Sequence, residues 1–169
     1  MEKRKQYDNK IILPRREEHE LPKGKAGLVL CRDCGASYYK KYWHHNLRNY
    51  KNPKEDALVR FSVCPACKMI ENRQFEGKIV VENIPAKILS DLTNLAENFC
   101  RKAYLSDPLD RLIKIKKIKE GVLEITTTEN QLAVRLAKKI KETFKKDKNE
   151  ISYSPRPSDV VYVKISFKL

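Results

Sequence analysis

Four cysteines, spaced as Cys31-x-x-Cys34 and Cys64-x-x-Cys67 with 29 residues between the pairs, constrain this chain more than anything else in it. A CxxC turn aims two thiols at one spot, and two such turns brought together supply a tetrahedral zinc site with Zn–S bonds of about 2.3 Å. Each pair is approached through β-like apolar residues, Val29-Leu30 and Val63, and the first is followed by Gly35-Ala36. This is the pattern of two knuckles in a zinc ribbon; a thioredoxin-type redox pair and two disulfides are the competing readings. A closed all-sulfur site leaves no position for a water, so one structural Zn²⁺ is expected and metal chemistry is not. The spacer exceeds the common ribbon length of about 15–20 residues and implies an extra loop. His44 and His45 fall in that loop, as exposed or RNA-facing imidazoles or, alternatively, as a substitute ligand. Cys100, among Leu92, Leu95, Ala96 and Phe99 at helical spacing, reads as a small buried hydrophobe.

Charge points to the partner. The chain carries 36 Lys and Arg against 22 Asp and Glu, a formal net charge of +14. A field of that sign attracts polyanions, nucleic acid above all. No apolar run approaches the ~20 residues of a membrane span, and Met1 to Lys10 is charged and polar. A cytoplasmic protein with reduced thiols is expected, without a membrane partner or a small-molecule substrate.

Three zones succeed one another. Residues 1–27 combine charge with Pro14, Pro22, Gly24 and Gly27 and read as a flexible basic arm. Residues 28–72 form the zinc ribbon with its long inter-knuckle loop, stabilised by metal where apolar residues are few. Residues 73–169 read as an α+β domain. Lys78–Glu82 is a strand, and Asn83 with Pro85 starts a helix striped by Ile88, Leu92, Leu95 and Phe99 until Asp107-Pro108 ends it. Leu112–Ile118 and Leu123–Thr127 alternate as a hairpin about Gly121. Thr128-Glu-Asn-Gln131 has capping-box form ahead of a helix carrying Leu132, Leu136, Ile140 and Phe144. Ile151–Tyr153 and Val160–Phe167 are the last strands, around a turn at Pro155–Asp159, with Val161, Val163, Ile165 and Phe167 facing inward. The order β-α-β-β-α-β-β fits a ferredoxin-like sheet with both helices on one face. Its other face would present Lys114, Lys116, Glu124, Thr126, Tyr162, Lys164 and Lys168, basic but with a single aromatic.

The loop between the cysteine pairs is the better nucleic-acid candidate. Tyr38-Tyr-Lys-Lys-Tyr-Trp-His-His45, followed by Arg48, Tyr50 and Lys51, interleaves rings and cations. Rings stack on splayed bases while cations neutralise phosphate. Tyr39, Tyr42 and Trp43 are the stacking candidates, and Lys40, Lys41, Arg48, Lys51 and Arg60 the phosphate contacts. Trp43 also has a structural use, packing inward over the zinc module with the lysines outward.

Cys31-Arg-Asp-Cys-Gly-Ala-Ser-Tyr-Tyr-Lys-Lys-Tyr-Trp43, Cys64-Pro-Ala-Cys67, Asp107-Pro-Leu-Asp-Arg111 and Leu123-Glu-Ile-Thr-Thr-Thr128 together resemble uncharacterised bacterial zinc-ribbon proteins, over residues 28 to 169. The ribbon is more distantly similar to the amino-terminal part of the large-ribosomal-subunit export adaptor family. That resemblance implies contact with ribosomal RNA and ribosomal proteins. No Gly-rich phosphate loop, GxSxG or HExxH is present, so an enzyme is not expected. The expectation is a non-catalytic, ribosome-associated RNA-binding protein; the alternative is an adaptor whose ribbon and arm bind a protein.

Overall fold

The structure, a computed structural model, describes residues 28–47, 59–144, 149–153 and 160–167. The basic arm, Arg48, Tyr50, Lys51, Lys168 and the turn at Pro155–Asp159 lie outside the described residues. The described chain is mixed α+β, with two small sheets and two apolar clusters.

Short strands β1 (Val29–Cys31), β2 (Ser37–Tyr39), β3 (Tyr42–His44) and β4 (Arg60–Ser62) form the first sheet in the order β3-β2-β1-β4. The second cysteine pair departs from the expected knuckle: Cys64 caps α1 (Pro65–Glu71), and its sulfur accepts from the Cys67 backbone N–H at 3.4 Å. Proline directly after a capping residue favours this, because its ring fixes a helical φ and its missing N–H would have had no partner in a first turn.

The second sheet is built from β5 (Gly77–Glu82), β6 (Leu112–Lys119), β7 (Val122–Thr127), β8 (Asn149–Tyr153) and β9 (Val161–Phe167), with α2 (Leu89–Ser106) and α3 (Asn130–Thr143) between strands. The element order is the one expected, and the sheet runs β6-β7-β5-β9-β8. In a ferredoxin-like sheet the strand after the second helix lies antiparallel beside the first strand. Here β9 takes that place, parallel to β5, and β8 is displaced to the edge. Strand alternation sets which residues are buried: Ile79 and Val81, Leu123 and Ile125, and Val163, Ile165 and Phe167 share one face. Against it pack Leu92, Ala96 and Cys100 of α2 and Leu132, Leu136 and Ile140 of α3 in one cluster. Burial pushes the Cys100 thiol up to about 12, as befits an inert core residue. The opposite face is partly neutralised by its own acids, through Lys78–Glu124 at 2.6 Å and Lys164–Glu82 at 2.8 Å.

Two helix starts differ from the sequence reading. Asn83 does not cap α2: it adopts φ 55° and its amide donates to Ser166 Oγ, while a 3₁₀ turn, Ala86–Ile88, precedes the helix. Thr128 does not cap α3 either. Its hydroxyl donates to the Leu109 carbonyl and accepts from the Arg111 backbone N–H, fastening the 107–111 loop to the end of β7. No described helix is long and apolar enough to cross a membrane.

Gly77 lets α3 lie close on β5. A Cβ there would meet Thr127 Oγ1 at 2.3 Å and Ala133 Cβ at 2.5 Å. Gly77→Ala is therefore expected to destabilise the protein by about 1–3 kcal/mol, read from its denaturant midpoint; an unchanged midpoint would refute the close approach.

Glu129 ends the segment that Thr128 fastens, and its carboxyl is raised from 4.5 to about 7. Burial is the main cause; Glu76, Asp110 and Asp107 add to it and Arg135 opposes them. The folded protein thus holds a proton here that the unfolded chain releases near 4.5. The associated stability is complete below that pH and is lost as pH rises to about 7. Glu129→Gln should flatten stability across this window, as measured by thermal unfolding at a series of pH values.

Candidate metal centre

Cys31 ends β1, Cys34 follows in the turn to β2, Cys64 caps α1, and Cys67 sits in that helix's first turn. Gly35, at φ 73°, allows the chain to reverse after Cys34. All four sulfurs lie within 4.8 Å of one another, with Cys31 and Cys67 3.9 Å apart and Cys34 and Cys64 3.7 Å apart. A disulfide needs about 2.05 Å, and the cysteines are free thiols. A tetrahedron of Zn–S bonds places its sulfurs about 3.8 Å apart. The donor set therefore fits one metal ion.

The electrostatics of the cluster favour a cation. Burial works against ionising Cys31, but the Cys64, Cys34 and Asp33 backbone groups outweigh it and bring the thiol down to about 6. The Cys64 N–H reaches the Cys31 sulfur at 3.3 Å. Cys67 moves the other way, to about 11, through burial and the nearby Cys34 sulfur, with the Cys64 hydrogen bond and then Arg111 pulling against them. Cys64 is also raised, by burial and by charge repulsion from Cys34 and Cys67. Cys31 forms a thiolate readily while Cys64 and Cys67 are opposed, which is the opposition a bound cation removes.

The histidines do not join the sulfurs. His44 Nε2 donates to the Tyr39 carbonyl at 3.2 Å, and His45 Nε2 donates to the Tyr104 carbonyl at the end of α2. Trp43 is half-buried against the cysteine cluster, its ring 5.3 Å from that of Tyr38.

Strand alternation divides the remaining candidates. Trp43, Tyr38 and Arg60 fall on one face of the first sheet, while Tyr39 and Tyr42 fall on the other with Phe61. Tyr42 is 56% exposed and Phe61 71%. Lys40 and Lys41 form the exposed two-residue tip of the β2–β3 hairpin, at φ 48° and 71°. Arg48 and Lys51 lie outside the described residues.

Sequence reasoning missed Phe61 and the 107–111 loop. Leu109 packs on the cysteine cluster, and Arg111 Nη1 lies 3.5 Å from Cys67 Sγ. The only available signal was that Asp107–Arg111 stood out as a motif without a chemistry of its own.

No protein-family model, curated protein or solved structure matches this chain. Cys64→Ser should abolish stoichiometric metal binding, measured by elemental analysis of the purified protein, while the core of the second sheet stays folded. A mutant that retains one ion per chain would overturn the four-sulfur assignment.

Proposed function

We propose that the ion is zinc, held structurally by Cys31, Cys34, Cys64 and Cys67, and that it fixes a small β-sheet that presents a cationic, tyrosine-flanked hairpin to RNA. Two CxxC pairs with sulfurs at tetrahedral spacing support zinc among the divalent ions. The hairpin tip carries the RNA reading. Left-handed backbone costs an ordinary residue about 1–2 kcal/mol, and Asn-Gly is the favoured occupant of such a turn. Lysines held there at that cost support a functional demand on the tip. Lys40 and Lys41 meet phosphate, Lys40 lying 5.5 Å from the Tyr39 ring centre, and Tyr42 stacks on a base. Arg60, with Arg48 and Lys51 on the sequence reading, is proposed to add phosphate contacts, and Trp43 serves chiefly as the hairpin's anchor on the cysteine cluster.

The net charge of +14 supports a polyanionic partner. The distant resemblance of the ribbon to the export adaptor family is the support for ribosomal particles in the cytoplasm as that polyanion. In this reading the protein is not an enzyme. A second reading, a protein-binding adaptor, is favoured by one observation, the exposed Phe61 on edge strand β4.

Charge reversal at the tip separates the two. Lys40→Glu with Lys41→Glu should weaken binding to single-stranded RNA and ribosomal particles, and should reduce the slope of log K against log salt by about 0.7 per lost phosphate contact. Cosedimentation that is absent even at low salt would sink the RNA reading. A salt-insensitive protein partner lost on Phe61→Ala would establish the adaptor.

A further inference from the structure

Arg111 reaches the sulfur cluster from outside the two cysteine pairs. It precedes β6, its Nε donates to the Pro108 carbonyl at 2.8 Å, and its guanidinium sits 5.1 Å from the centre of the Tyr104 ring, against which His45 packs edge-on at 4.6 Å. Its backbone N–H is held by Thr128 Oγ1 at 2.9 Å. These contacts aim Nη1 at Cys67 Sγ, 3.5 Å away. Its Nη2 is buried without a hydrogen-bond partner.

Four thiolates and one divalent ion leave a net double negative charge, and with Cys31, Cys64 and Cys67 buried, water has little access to screen it. We infer that Arg111 is the counter-charge of the loaded centre, donating to its sulfurs, so that metal binding also latches the second sheet, through the 107–111 loop, onto the cysteine-bearing sheet. This inference rests on the four-sulfur metal reading.

Arg111→Met and Arg111→Lys in the full chain test it, with Arg101→Met as the control, an exposed arginine bonded to Asn98. Zinc affinity by chelator competition should fall about 10–100-fold in Arg111→Met, less in Arg111→Lys, and stay unchanged in the control. With Co²⁺ as the probe, loss of the N–H···S bond raises the sulfur donor level. The thiolate-to-cobalt charge-transfer band of Arg111→Met should therefore move to longer wavelength, a shift that a purely structural residue would not produce. A folded Arg111→Met variant with wild-type affinity and an unmoved band would overturn the inference and leave the metal reading intact. Wild-type protein that binds neither ion would overturn the metal reading itself. If Arg111→Met does not fold, Arg111→Lys decides: weakened zinc affinity supports the inference and wild-type affinity refutes it.

Discussion

Sulfur atoms crowded within 4.8 Å of one another set the terms for the amino-terminal part of this protein. Strands of three residues cannot hold a sheet together by themselves, and the apolar cluster around them is small. A metal ion held by these sulfurs would answer both deficits. It would fix the turn after β1 and the start of α1 at one point, beside the parallel pairing of β1 with β4, which a long segment separates. The hairpin that carries Lys40 and Lys41 inherits its position from this junction.

The two sheets are tied together beside that junction by a chain of contacts. Leu109 packs on the cysteines, Arg111 faces Cys67, Tyr104 lies under the guanidinium, His45 closes against Tyr104, and Asp110 pairs with Arg135 on α3. The motifs around Asp107–Arg111 and Leu123–Thr128, separated in sequence by β6 and its turn, meet through the Thr128 hydroxyl. Their distinctiveness reflects one joint rather than two separate features.

Much of the second sheet was legible because its signals are periodic. Leu132, Leu136 and Ile140 are fully buried as their spacing implies, and Val163, Ile165 and Phe167 face one core. The strand order was not legible. Alternation in Val161–Phe167 says that one face is buried and does not name the neighbouring strand, so the insertion of β9 beside β5 had no signal. Local polar residues misled for a related reason: Thr128 and Asn83 have capping chemistry, but tertiary partners, Leu109 with Arg111 and Ser166, claimed their side chains. At the cysteines the clustering of the four sulfurs was readable from spacing alone. The helix after Cys64 was not read, because the two pairs look alike as CxxC, and Pro65 was its one signal. Arg111 was beyond sequence reasoning because one cation among 36 carries no mark of what it faces.

The place of β9 also bears on how the chain acquires its shape. Its parallel partner β5 lies some eighty residues earlier, at Ile79↔Val163 for example, and β9 sits inside the sheet rather than at its rim. During synthesis β5, β6 and β7 emerge with one side of β5 unpaired and with Ile79 and Val81 short of a neighbour. α3 cannot settle fully until that gap is filled. The nascent sheet therefore waits, open-edged, for a distant segment to leave the ribosome, a situation that slows closure and exposes a sticky edge in the interval.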